Sequence, residues 1–160
     1  MGKQSSIVEE RHSSGTPPID EEAIERAEKA LQTMADTFEN WIGEEVDLLL
    51  AARDVLKKDG ASSTTIDELS RRAHDIKGQG ATLNFPFVTQ IAEQLCRLCE
   101  HLPEPSVFPV PLAEAHVDAL RAVVRDGIRG DNDPTGRALV TELATRVNET
   151  LAAWRAKPAR

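Results

Sequence analysis

From Ile24 to Trp154 large apolar residues recur at intervals of three and four, and no stretch alternates apolar and polar residues with period two. Spacing of that kind lines one face of an α-helix and leaves a β-strand with no coherent face. The chain is therefore restricted to helices packed on helices. Aromatic residues are only 4% and tyrosine is absent, so the core of such a bundle must be aliphatic.

Five segments carry the pattern. The first runs from about Asp20 to Lys58, with a seam of Ile24, Ala27, Leu31, Met34, Phe38, Trp41, Leu48 and Leu49, and Asp59-Gly60 as its stop. Gly43 marks a bend or a split into two helices. Packing of this segment onto the bundle, or onto its own N-terminal arm, is favoured over an oligomeric seam through Met34, Phe38 and Trp41. The second segment opens with Thr65 and Glu68, a capping pattern, and its seam is Ile66, Leu69, Ala73, Ile76, Gly80 and Leu83. Asn84 stands where a left-handed residue ends a helix. The third spans about Pro86 to His101, and the short link before it predicts an antiparallel hairpin. The fourth covers about Leu112 to Ile128. The fifth starts at Asp133-Pro134, a cap followed by proline in the first turn. The expected architecture is an all-α antiparallel four-helix bundle with an N-terminal helical extension, its domain spanning residues 19–157.

Residues 1–18 are polar, end in Gly-Thr-Pro-Pro, and read as a disordered tail. They lack the apolar core of a secretory signal, and no run approaches a membrane span. The net charge of −8 argues against nucleic acid as a partner. With two cysteines and no export signal, a cytoplasmic location and free thiols are expected.

The chemistry concentrates in "RRAHDIKGQGATLN", residues 71–84. Glycine in a helix interior costs about 1 kcal/mol relative to alanine, so two glycines there require a reason. At about 100° per residue, Gly80 falls on the apolar seam, where it permits close helix approach. His74 falls well away from the seam, in solvent. Its wheel neighbours are Asp67, Ser70, Arg71, Lys77, Gly78 and Ala81. Gly78 removes the side chain that would crowd the imidazole, and Lys77 and Arg71 supply positive charge. Imidazole is a nucleophile near neutral pH. The arrangement suits a histidine exposed to a large partner that brings an anionic group.

These residues resemble those of a histidine-containing phosphotransfer (HPt) domain. The pattern H-x-x-K-G is matched by His74, Lys77 and Gly78, followed by Leu83, and "VTQIAEQLCRLCEHL" is similar to the helix that follows in that family. The strong match covers about residues 65–102. The family's usual glycine at the hairpin turn is Asn84 here. The resemblance implies a four-helix bundle that relays phosphoryl groups between His74 and the aspartates of response-regulator receiver domains, with a hybrid sensor kinase as a further partner. It implies Lys77 as the stabiliser of phosphoryl oxygens, Gly78 as the opening for docking, and Mg²⁺ supplied by the receiver, with no cofactor of the chain's own. Many members hold the imidazole with a Gln or Glu about six turns beyond the histidine. Cys96 falls near that place, and Glu93, one turn before it, is the candidate. No phosphate-binding glycine loop occurs, so the chain reads as a relay and not a kinase. The rival reading is an HPt-like docking module that is never phosphorylated.

Three other constellations have bland explanations. Cys96-x-x-Cys99 lies mid-helix without a second pair and reads as packing cysteines. Residues 131–142 match several EF-hand positions at Asp131, Asp133, Thr135, Gly136 and Glu142, yet Asp133-Pro134 already accounts for itself as a helix start. His116 lies on an apolar face and reads as a partly buried, hydrogen-bonded histidine.

Overall fold

The computed structural model describes residues 20–102 and 104–157, so the expected tail of residues 1–18 lies outside the described residues. Among the described residues five α-helices follow one another: α1 (Glu21–Asp59), α2 (Ser63–Thr82), α3 (Pro86–His101), α4 (Val110–Arg125) and α5 (Pro134–Arg155). A single 3-10 turn, Pro105–Val107, precedes α4. No strand occurs among the described residues. The chain divides into two compact units, Met1–Thr37 and Phe38–Arg160.

The second unit is built around one aliphatic cluster. Leu49 and Leu56 of α1, Leu69 and Ile76 of α2, Ile91 and Leu95 of α3, Leu120 of α4 and Leu151 of α5 are all buried in it. Helix α3 is central and packs on α2, α4 and α5. α1 is tied to α4 at the surface by Arg53–Asp118 at 3.2 Å and Lys57–Glu114 at 3.8 Å. Exposed pairs of this kind contribute little, and the apolar cluster carries the packing. Residues of α1 from Ile42 to Leu56 enter the same core, and the described residues form the all-α helical bundle that the sequence indicated.

Helix ends follow local chemistry. Asp20 accepts from Glu22 N at 3.1 Å and opens α1, which runs unbroken past Gly43 and ends at Gly60, φ 85°. α2 begins before the expected cap. Ser62 is the N-cap, in a box with Thr65, while Glu68 is occupied by Arg71 and Arg72 at 2.7 and 3.0 Å. A carboxylate already held by guanidinium groups three and four residues on cannot reach back to the helix start. α4 begins at Val110 and ends at Arg125, a little earlier at both ends than the periodicity indicated. Asp133 caps α5 by accepting from Gly136 N at 2.9 Å.

The largest departure concerns the apolar seam of α1. Its buried residues are Ile42, Val46, Leu49, Ala52 and Leu56. Of the seam read from spacing, only Leu49 is among them; Ile24, Leu31, Met34, Trp41 and Leu48 are exposed. α1 carries two apolar faces, and periodicity alone does not say which one meets the core.

Gly136 looked like a calcium-loop glycine and is instead a packing device. A Cβ at this position would lie 2.4 Å from the Phe87 ring. Because α5 begins at Pro134, residues 135–142 are helical and cannot wrap a cation. Helix propensity favours alanine by about 1 kcal/mol, while overpacking of this severity costs about 1–3 kcal/mol. Gly136→Ala is expected to lower stability in chemical denaturation despite its better helix propensity.

His116 is fully buried, beyond the partial burial expected. Its Nδ1–H donates to Leu112 O at 2.7 Å, and Nε2 is buried without a partner among the described residues. Burial pushes its pKa below the ordinary 6.5. The unfolded chain therefore takes up a proton that the folded chain refuses, and stability falls as pH drops below 6.5 toward the folded value. Thermal unfolding between about pH 7 and about pH 5 should show this slope, and His116→Asn should flatten it while lowering Tm throughout.

Candidate functional site

Glycine and asparagine shape the hairpin that carries the histidine. A Cβ on Gly80 would lie 2.8 Å from Thr89 Oγ1 and 3.1 Å from Thr89 N, so α2 and α3 approach as closely as backbones allow there. Asn84 takes φ 61°. Phe85 N donates to Gly80 O at 2.7 Å and Asn84 N to Ala81 O at 3.4 Å, the paired bonds that close a helix through a left-handed residue. Arg129, on the segment after α4, donates to Leu83 O at 2.9 Å and lies 4.3 Å over the Phe85 ring. Nothing in the sequence pattern marked this clamp on the turn.

The register brings one carboxylate to the imidazole. His74 is half-exposed on the outer face of α2, as the wheel indicated, and its Nε2 is hydrogen-bonded to Glu100 Oε1 of α3. The sequence reading named Glu93, with Cys96 beside it. Gly80 sits opposite residues 88 and 89, so His74, six residues back, is level with residues 94 and 95. Side chains on a helix lean toward its N-terminus. In an antiparallel pair His74 leans down α2, away from the turn, while α3 side chains lean up toward it. The residue that meets the ring must therefore start further along α3 than the level position. Glu100 does so by about 8 Å at 1.5 Å per residue, whereas Glu93 leans toward the turn and away from the ring. Counting positions without the lean direction picks the wrong carboxylate. Glu100 was within the quoted motif, and that direction was the signal that finds it.

The other residues sort by environment. Gly78 has nothing within 4 Å of where a Cβ would stand, and Ala81 is exposed beside it. Ser70 is half-buried. Arg71 is exposed, but Glu68 holds its guanidinium at 2.7 Å. Lys77 is half-buried and makes no ion pair among the described residues. Its charge lies near Cys96. Burial pushes the Cys96 thiol up to about 11, with Lys77 acting in the opposite direction, and burial pushes Cys99 up to about 12. Thiols this reluctant to ionise are packing groups, neither metal ligands nor nucleophiles at neutral pH. Among the described residues no group of three His, Cys, Asp or Glu is placed to hold a metal ion.

Surface depressions lined by Gln90 and Arg137, by Glu22 and Lys29, and by Pro111 and Arg146 include neither His74 nor Glu100. His74 is half-exposed on its helix, with the small residues Gly78 and Ala81 on one side and Lys77 three residues further on. His74 is an accessible imidazole on a helical bundle. The family model of the Hpt domain matches residues 21–126, and the chain belongs to the Hpt-domain family. Its role is histidine phosphotransfer in two-component signalling. Comparison with curated proteins and with solved structures finds no match.

The Glu100 contact places a proton on Nε2, because a carboxylate only accepts. Imidazole ¹⁵N shifts of His74 should report Nε2–H as the dominant neutral tautomer in the wild-type chain. In Glu100→Ala the populations should move toward those of a free imidazole, with helical circular dichroism unchanged. Identical shifts in the two proteins would mean that Glu100 does not hold the ring.

Proposed function

We propose that the chain is a phosphorelay intermediate, working in the cytoplasm, in which His74 accepts a phosphoryl group from the aspartyl phosphate of a receiver domain and donates it to another. The observation that carries this reading is the exposed imidazole beside Gly78, where a partner's backbone has room to approach.

The step runs as an in-line displacement. A carboxylate at Nε2 favours the protonated nitrogen, which has no lone pair to offer. When Glu100 takes that proton from an imidazolium, Nδ1 keeps its own proton and the Nε2 lone pair is free. Glu100 then turns aside, which its half-exposed position in the last turn of α3 permits. The lone pair forms the N–P bond as the P–O bond breaks, and the electron pair leaves with the aspartate carboxylate. Lys77 faces the phosphoryl oxygens as a point charge. Mg²⁺ is supplied by the receiver, and a hybrid sensor kinase stands upstream. In the return transfer the phosphohistidine meets the aspartate of a second receiver along the same line.

Incubation with a phosphorylated receiver and Mg²⁺ tests the reading. Label should reach the wild-type chain, be stable to alkali and labile to acid, and be absent from His74→Gln. Label that never reaches the wild type while the receiver still binds would leave a docking module in place of a relay. Lys77→Ala should slow transfer roughly 10- to 100-fold with the fold unchanged, the scale of losing one charge stabiliser from a transfer site. Gly78→Ala separates function from stability: a Cβ there meets no atom of the chain, so it should raise stability by up to about 1 kcal/mol and yet slow transfer by obstructing the receiver.

A further inference from the structure

The exposed face of α1 has a strict period of seven. Ile24, Leu31 and Phe38 recur at that interval, followed by half-buried Glu45, while Ala52, seven further on, turns into the core. Three residues after each stand Ala27, Met34, Trp41, Leu48 and Val55. Leu31 is 64% exposed, Met34 and Trp41 50%, and Val55 48%. A repeat of 3.5 residues sustained over four heptads is the seam of a coiled coil, which needs a second helix of the same period. Within the unit of residues 38–160 the core is filled by the other seam, Ile42, Leu49 and Leu56. Within the described part of the first unit, residues 20–37 are exposed apart from half-buried Ala35 and Thr37. A helix of that length, burying nothing, is marginal in water.

We propose that this outer seam binds a second copy of the chain as an antiparallel two-helix coiled coil. The order of the seam residues argues for it. Two copies related by a two-fold axis between Phe38 and Trp41 pair Ile24 with Val55, Leu31 with Leu48 and Phe38 with Trp41. Each pair is matched in size, and each forms twice. Glu45 meets Met34. A parallel pair would set Glu45 against Glu45 at the seam, a like-charge contact. The antiparallel order also brings Lys58 of one copy level with Glu21 of the other, whereas a parallel order stacks the acidic first turns, Glu21 and Glu22, on each other.

The exposed apolar side chains amount to roughly 500 Å² per chain, so two copies together reach roughly the 1,000 Å² at which specific interfaces begin. Residues 1–19 are a poor alternative occupant. Met1, Ile7, Val8 and Ile19 are their only large apolar residues, too few for a seam running about 46 Å from Ile24 to Val55.

Sedimentation and light scattering of the full chain test this without reference to phosphoryl transfer, so its failure is distinct from failure of the relay reading. At tens of micromolar the wild type should show twice 17.5 kDa. Leu31→Asp with Leu48→Asp should show the monomer mass and keep the cooperative unfolding transition of the bundle. On mild oxidation Leu31→Cys combined with Leu48→Cys should crosslink two copies, and Leu31→Cys alone should not. A wild-type monomer at 100 µM, a dimer that survives the double aspartate variant, or crosslinking of Leu31→Cys alone would each overturn the proposal. So would a monomeric wild type whose receiver binding is lost in Leu48→Asp, since the seam would then belong to the receiver.

Discussion

The contact on which the site depends is the backbone approach of α2 and α3 at Gly80. No side chain separates the helices there, and Thr89 lies where a Cβ would stand. That approach, with the left-handed Asn84 closing the turn, sets the register of the hairpin. Register then decides which residue of α3 reaches His74. A helix pair slipped by one turn would keep the same apolar seams and bring a different side chain to the ring. Arg129 across Leu83 and Phe85 reinforces the same turn from the far side of the chain. The surroundings of His74 are thus a consequence of packing several residues away.

The two glycines of the histidine helix do opposite things with the same missing side chain. At Gly80 the gap is filled by α3; at Gly78 it is left open to solvent. The first makes the hairpin and the second makes it accessible. Glu100, on the neighbouring helix, is hydrogen-bonded to Nε2 of the half-exposed ring.

The fold was legible in the sequence wherever a local rule acted alone. Asn84, Gly60 and Asp133-Pro134 marked helix ends by backbone chemistry, and the structure keeps all three. The start of α2 was misplaced because Glu68 had competing arginine partners close by in sequence. The wheel put His74 in solvent and Gly80 in the core, both as found. It failed on α1, where two apolar faces share one helix, and it was silent on Gly136, whose neighbour Phe87 is on another helix. It failed also on Glu100, because reaching the ring depends on the lean of side chains across an antiparallel pair.

What the sequence determined by itself is the helical class, the hairpin, and the identity of the exposed histidine with its lysine and glycine. These follow from periodicity and from conformational preferences that act within a few residues. Only the tertiary structure decided which face of α1 enters the core, why α5 carries a glycine, and which carboxylate holds the imidazole. Each of those outcomes is set by atoms distant in the chain, through close packing and the direction in which side chains leave a helix, and neither is encoded in the spacing of residues along one segment.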